Sequence, residues 1–314
     1  MQSDSPSRPF VAILGPTASG KSGLALDIAR DRGGEIVNCD SVQVYRGFDI
    51  GSAKVSAEVR REIPHHLIDI CDAGETFSAG DFAKQGRRAL GDISSRGKLP
   101  IVAGGTGFYL RALLHGLFSG PGRRPELRER LQPRESVKLH RILGRLDAVA
   151  AARIHPNDRN KLIRAVEVCL SAHQPMSALH QGGSDPLTGY RPLLLMLDPP
   201  RAELYSRINQ RCCEMFETGL LEEVESLLRR GVSESSQPMR AVGYREAVQV
   251  LRGSLSLEDA IAATQQATRN YAKRQWTWFR KEKEIQTISG FGDDPAIRRE
   301  AAVRVTKFLA EFPN

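Results

Sequence analysis

Lys21 and Ser22 close the run Gly15-Pro16-Thr17-Ala18-Ser19-Gly20-Lys21-Ser22, a G-x-x-x-x-G-K-S spacing suited to holding phosphate oxygens. Glycines let the backbone curl until several N–H groups face one point. A helix that follows directs the positive end of its dipole there. Lys21 adds a full charge, and the Ser22 hydroxyl is an oxygen ligand of the kind Mg²⁺ prefers. The run needs a strand before it and a helix after it. Phe10 to Leu14 are five apolar residues, and Ala25, Ile28 and Ala29 follow at helical spacing. A glycine-rich turn that binds nothing is the alternative, and the lysine, serine and both flanks argue against it. The motif specifies a diphosphate-like ligand without specifying ATP.

Four further groups carry side chains able to do chemistry. Asp40 directly follows the apolar run Glu35-Ile36-Val37-Asn38-Cys39. In a parallel α/β sheet, ligands sit at the carboxyl ends of the strands, which places an acid there beside the phosphate loop; capping the next turn is the alternative. Thr106 lies in Gly104-Gly105-Thr106-Gly107, at the end of the strand Leu99–Ala103, where glycines allow close approach of a ligand; a plain strand-to-helix turn fits equally. Arg207 and Arg211 stand at i and i+4 on the expected helix 201–217, a spacing that clamps phosphate oxygens or pairs with a neighbouring acid. Thr264 to Lys281 carries five basic residues, no acid and both tryptophans of the chain. Interleaved basic and aromatic residues suit nucleic acid, and equally a packed aromatic face with its cations turned outward.

These groups require an α/β frame. Strands are expected at 10–14, 35–39, 99–103 and 192–197, with a short one near Pro64–Asp69. An amphipathic helix is expected over 82–93 and another at 220–230. Residues 120–188 read differently: helical stretches at 126–131, 139–151 and 160–172, rich in arginine and without a convincing strand. The expected organisation is a discontinuous core, 9–119 with 189–314, interrupted by an all-helical insertion at 120–188. Of 314 residues, 40% are hydrophobic and the net charge is +8, enough for a large core and favourable to a polyanionic partner. Cys39, Cys71, Cys169, Cys212 and Cys213 include no C-x-x-C pair, so neither a disulfide framework nor a zinc site is indicated. There is no long apolar run for a membrane span. Residues 1–8 and the last few read as frayed ends, and the chain as a cytoplasmic protein, expected to be a monomer.

In order, the chain carries G-P-T-A-S-G-K-S, D-S-V-Q-V-Y, P-H-H-L-I-D, G-G-T-G-F-Y, I-H-P-N-D, A-V-G-Y-R-E and Y-A-K-R-Q-W-T-W-F-R. This succession resembles the tRNA dimethylallyltransferases, or tRNA isopentenyltransferases, over about residues 10 to 281. The resemblance implies a P-loop NTPase-like parallel sheet flanked by helices. It implies transfer of a dimethylallyl group from dimethylallyl diphosphate to N6 of the adenosine 3′ of the anticodon, in tRNAs reading codons that begin with U, with Mg²⁺ required. By the same resemblance, Gly15, Pro16, Thr17, Ala18, Ser19, Gly20, Lys21 and Ser22 bind diphosphate with Arg207 and Arg211, and Ser22 holds Mg²⁺. Asp40 matches the general base, and Thr106 the residue that orients the target amine. Asp40, Ser41, Val42, Gln43, Arg128, Asn160, Lys161, Leu162, Ile163 and Arg164 match tRNA-contacting stretches, as do Arg240, Ala241, Val242, Gly243, Tyr244 and Arg245. Gly51-Ser52-Ala53-Lys54-Val55 departs from the family's usual G-T-A-K-P. The rivals are a P-loop kinase of small molecules, a prenyltransferase of free adenine nucleotides, and a non-catalytic RNA-binding protein that senses nucleotide.

Overall fold

The computed structural model describes residues 7–312. Residues 1–6, and Pro313 and Asn314, on which part of the expectation of frayed ends falls, lie outside the described residues. Arg8 departs from that expectation: it opens the first strand, and its N–H donates to the Gly189 carbonyl at 2.9 Å. The chain divides into two compact units. One comprises residues up to 114 and from 187 onward; the other is 115–186.

The first unit is built on one six-stranded sheet, with β1 Arg8–Leu14, β2 Glu35–Cys39, β3 His65–His66, β4 Pro100–Gly104, β5 Tyr190–Leu197 and β6 Gln286–Ile288 in the order β3-β2-β4-β1-β5-β6. Every pairing is parallel. Parallel sheets are covered on both faces, so their inner strands read as continuous apolar runs. Phe10 to Leu14 and Leu195 to Leu197 are accordingly almost without solvent contact. On one face, Ala25 and Ile28 of the helix Lys21–Arg32 pack with Ile101, Leu195 and the Ala301–Val305–Phe308 stripe of the helix Pro295–Leu309. Because the strands all point the same way, the segments leaving β1, β2 and β4 emerge side by side. These segments carry the phosphate loop, Asp40 and Thr106.

Several elements differ from the sequence reading. The strand at 192–197 begins at Tyr190, and β6 and the helix Pro295–Leu309 lie beyond any motif. The short strand near Pro64–Asp69 is confined to His65–His66, whose side chains take separate partners: the first hydrogen-bonds the Ile63 carbonyl at 2.7 Å, the second the Glu35 carboxylate at 2.7 Å. The 264–281 stretch belongs to a longer helix, Leu257–Phe279, opened by Ser256, whose hydroxyl accepts the Asp259 N–H at 3.1 Å.

The second unit packs the helices Pro125–Leu131, Ser136–Leu146, Ala148–Arg153, Arg159–Ala172 and Met176–Gln181 around Leu139, Leu143, Leu162 and Val166. The expected helix 139–151 is two helices. Asp147, at φ −158°, breaks the first and caps the second by accepting the Ala150 N–H at 2.9 Å. Glu167 is fully buried there, bonded to Arg128 at 2.9 Å, Arg164 at 2.8 Å and the Arg124 N–H at 2.8 Å. These contacts outweigh burial and hold its carboxyl below the usual range. All five cysteines are free thiols.

Candidate active site

The phosphate loop takes its shape from residues that tolerate unusual backbone angles. Gly15 sits at φ +140° and Gly20 at +84°, with Ala18 between them at +62°. A Cβ on Gly15 would lie 2.7 Å from the Leu197 carbonyl oxygen, so only glycine lets the loop leave β1 beside β5. Gly20 provides no side-chain cap to the helix Lys21–Arg32, which leaves the first N–H groups of that helix for an anion. Lys21 folds back to donate to the Pro16 carbonyl. Burial, and then the Arg211 charge, push its ammonium down to about 7, against the smaller opposing influence of Asp40. Burial also lowers the Arg211 guanidinium from its usual value. Lys21 and Arg211 thus set two cationic side chains beside the loop amides, a grouping suited to phosphate oxygens.

Two adjoining cavities meet here. One, of about 300 Å³, is lined by Gly20, Lys21, Ser22, Asn38, Gly104, Gly105 and Gln275. The other, of about 370 Å³, is lined by Val42, Ile208, Met215, Arg240, Ala241, Val242, Arg245, Thr264 and Arg274. Thr17, Ala18, Asp40, Ser52, Arg211 and Tyr271 are walls of both. Asp40 thus stands between a phosphate-binding end and a larger, arginine-rimmed end. Its Oδ1 accepts the Val42 N–H at 2.8 Å and the Gln43 N–H at 3.3 Å, which fixes the carboxylate through one oxygen. The turn capping that was the alternative role of Asp40 therefore coexists with its place in the site. Thr106 is tied to the same turn: its hydroxyl accepts the Ser41 N–H at 3.2 Å, and its own N–H donates to the Cys39 carbonyl at 3.1 Å.

The helix Leu257–Phe279 supplies a further wall of the site. Thr264, Thr268, Tyr271 and Gln275 line the cavities from it. Their spacings of four, three and four place them on one helical face. Tyr271, Arg274 and Gln275 were not among the site residues expected from sequence. The available signal was a stripe of polar side chains at buried helical spacing, where apolar ones are the rule.

Other expected residues separate. Arg211 lines both cavities, but Arg207 does not: its Nη1 holds both Asp293 oxygens at 2.8 Å and its guanidinium lies 3.7 Å from the centre of the Phe291 ring. Sharing a helix face with Arg211 is not enough when a nearby acid captures the side chain. Arg240 and Arg245 are exposed at the cavity rim, with Ala241 and Val242 in its wall. Tyr244 is buried and donates to Glu223 at 2.6 Å, while Gly243, at φ +92°, donates its N–H to Glu246. In the helical unit, Asn160 and Lys161 are exposed. Leu162 and Ile163 are core residues there, at 0% and 2% exposure, and have no side-chain surface to offer RNA. Arg128 and Arg164 both brace Glu167.

The oxygen donors suit a hard cation that arrives with phosphate. Ser22 and Asp40 line the same phosphate-binding cavity, with the amide side chains of Asn38 and Gln43 beside them. Among the described residues no group of three or more His, Cys, Asp or Glu side chains converges on a metal position. The Ser22 hydroxyl, completed by phosphate oxygens and water, is a fitting shell for Mg²⁺ and an incomplete one for zinc.

Comparison with known proteins agrees with this geometry. Residues 43–282 match the family model for IPP transferase, and residues 9–67 match that for isopentenyl transferase. The chain is 57% identical over 293 residues to a tRNA dimethylallyltransferase of Koribacter versatilis, covering 92% of this chain and 95% of that one. It is 55% identical over 306 residues to one of Solibacter usitatus, covering 96% and 100%. A crystal structure of tRNA delta(2)-isopentenylpyrophosphate transferase from Staphylococcus epidermidis is 36% identical, with a TM-score of 0.69 over 96% of this chain and 99% of the other. A eukaryotic dimethylallyltransferase acting on tRNA superposes with a TM-score of 0.82 at 27% identity, over 98% and 81%. With the phosphate loop, Asp40 and Thr106 leaving adjacent strands of one parallel sheet, and with matches of this extent, the chain belongs to the tRNA dimethylallyltransferase family.

Proposed function

We propose that this protein transfers the dimethylallyl group of dimethylallyl diphosphate to N6 of the adenosine at position 37, just 3′ of the anticodon, in tRNAs reading codons that begin with U, and releases diphosphate. The observation that carries the reading is Asp40 standing as a common wall between the phosphate-binding cavity and the arginine-rimmed one. The donor's diphosphate fits the first, against the loop amides, Lys21 and Arg211. The acceptor base enters through the second.

An adenine amino group is a poor nucleophile because its lone pair is delocalised into the ring. In the proposed reaction the N6–C bond forms as the C–O bond to diphosphate breaks, and one N6 proton passes to Asp40 Oδ2. Thr106 orients the amine, its hydroxyl already fixed by the Ser41 N–H. Lys21, Arg211 and the loop amides stabilise the charge that collects on the leaving diphosphate. Ser22 is the residue that would hold Mg²⁺, which would supply further neutralisation of the diphosphate when bound. The walls Ile208, Met215 and Val242 keep water from the allylic carbon. A loop base must leave its stack to enter, at a cost of roughly a few kcal/mol. Arg240 and Arg245 at the rim, with exposed Asn160 and Lys161 on the helical unit, supply contacts to the anticodon stem-loop. This reading places the enzyme in the cytoplasm, acting as a monomer.

The test is transfer of label from dimethylallyl diphosphate to an unmodified tRNA with A-A-A after its anticodon, with Mg²⁺ or with chelator, beside an ATP-consumption assay. Mg²⁺-dependent label on N6 of the first of those adenosines is the expected result. No label, with ATP consumed on a small acceptor, would assign the phosphate loop to a kinase instead.

A further inference from the structure

We propose that Gln275 is a positioning residue for the transfer: a buried carboxamide that sets the separation between the loop holding the donor and the turn orienting the acceptor. The inference rests on the dimethylallyl-transfer reading. Gln275 sits on the helix Leu257–Phe279 at 4% exposure. Its Oε1 accepts the Thr17 N–H of the phosphate loop at 2.8 Å. Its Nε2 donates to the Gly105 carbonyl at 2.9 Å, one residue before Thr106. One planar group of fixed dimensions therefore spans two loops that leave different strands and belong to opposite halves of the reaction.

The surroundings are built to admit this bridge. A Cβ on Gly105 would lie 2.0 Å from Gln275 Nε2 and 3.8 Å from the Gly15 carbonyl oxygen. Glycine at 105 is thus what lets the carboxamide reach the turn and the turn approach the phosphate loop. Beyond Gly105, Thr106 holds the Ser41 N–H, next to Asp40. The path from the Thr17 N–H through Gln275 to Gly105 and Thr106 is continuous and short. Glutamate at 275 would keep the acceptor for Thr17 but lose the donor to Gly105, and would set a negative charge beside the diphosphate. A methionine of similar length loses both bonds while filling the space.

Two consequences follow. First, the bridge acts on geometry at the reacting atoms more than on affinity, and misplacement by about 1 Å lowers turnover by about 100-fold. Second, a diphosphate that orders the phosphate loop also orders the Thr106 turn through the carboxamide, so the second ligand pays less to bind. That coupling is reciprocal.

The experiment compares wild type with Gln275→Met, Gly105→Ala and the double variant. It measures single-turnover rate at saturating substrates, KM for dimethylallyl diphosphate, and affinity for an anticodon stem-loop RNA with and without inorganic diphosphate and Mg²⁺. In wild type, diphosphate is expected to tighten RNA binding by about tenfold. In Gln275→Met the rate is expected to fall by about 30-fold, with KM within about threefold and the tightening reduced to less than about twofold. Gly105→Ala, which displaces the carboxamide while leaving it in the chain, should reproduce that signature, and the double variant should lose little more than either single one. It also carries the test if Gln275→Met does not fold. A Gln275→Met rate within about threefold of wild type, tightening that persists in the variants, or losses that multiply in the double variant would overturn the proposal. Failure of wild type to transfer label at all would instead overturn the functional reading, and the diphosphate–RNA coupling would still be measurable.

Discussion

Replacing Lys21 with methionine is expected to stabilise the empty protein while removing most of its hold on diphosphate. Burial, followed by the Arg211 charge, lowers the Lys21 pKa from 10.5 to about 7. An unfolded chain with an ordinary lysine therefore binds more protons than the folded chain between about pH 7 and pH 10.5, and stability rises with pH across that window. The penalty for burying the ammonium is complete below pH 7 and gone above pH 10.5. The displacement corresponds to an upper limit of about 5 kcal/mol, and solvent access to this half-buried side chain reduces it to a few kcal/mol. Lys21→Met removes the charge and keeps most of the apolar stem. Urea unfolding of both proteins at about pH 6 and pH 9 reads the difference directly. The variant should be the more stable at pH 6, by about 1–3 kcal/mol, and the gap should shrink toward pH 9.

The same lowered pKa fixes how diphosphate binds. The ligand requires the ammonium, so above pH 7 each unit of pH should weaken the wild-type dissociation constant by up to about tenfold, as a proton must be taken up with the anion. Lys21→Met should bind diphosphate weakly and without that slope. A variant less stable than wild type at pH 6, or a stability gap equal at pH 6 and pH 9, would refute the argument. Either result would mean that Lys21 is comfortably charged in the empty site.

Asp40→Asn should lower the transfer rate by about 10²–10⁴-fold while RNA affinity stays within about twofold in a filter-binding assay; wild-type turnover would remove Asp40 from the role of base. Arg211→Ala should weaken diphosphate binding by at least about tenfold, since the side chain faces both cavities. Arg207→Ala should cost less than about 1 kcal/mol of stability, because its partner Asp293 is a surface acid, and calorimetric titration with diphosphate compares the two. Glu167→Ala should destabilise the helical unit by about 3–5 kcal/mol by leaving the Arg128 and Arg164 charges and the Arg124 N–H without their acceptor. Because the Glu167 carboxyl is held below its usual range, its contribution is present at neutral pH and lost as pH falls through that lowered value. Proteolysis within residues 115–186 at descending pH reports that loss.

What was legible in the sequence is what chain geometry alone decides. The loop at 15–22, Asp40 and Thr106 each directly follow an apolar run, and a parallel sheet brings such positions to one edge whatever lies between them. The helical stretches expected within 120–188 were legible for a similar reason, since periodicity is local. Arg207 was not: its spacing from Arg211 is local information, but Asp293 is 86 residues further along and no pattern announces it. Leu162 and Ile163 failed in another way. They belong to a contiguous stretch that matches a contact surface, but on a helix adjacent residues face different directions, and these two face the core.

Gln275 shows where such reading stops and what would extend it. Its partners lie 258 and 170 residues away in sequence, so no local rule predicts the bridge. The helix that carries it nevertheless gives a clue. A basic and aromatic stretch invites the choice between an RNA-binding face and a packed face, and both are present on one helix: Ala272, Trp276 and Phe279 are buried, while Lys273, Arg274 and Thr277 are exposed. Between them runs the third stripe of Thr264, Thr268, Tyr271 and Gln275. Burying hydroxyls and an amide in a helix costs stability unless each finds a partner. Gln275 finds its partners on the two loops, and Thr268 bonds the Thr264 carbonyl at 2.7 Å. The Thr264 hydroxyl is buried without a partner in the cavity wall. Polar residues at buried helical spacing are therefore a mark of the site itself, and the stripe is explained by the ligands it encloses more than by the helix that displays it.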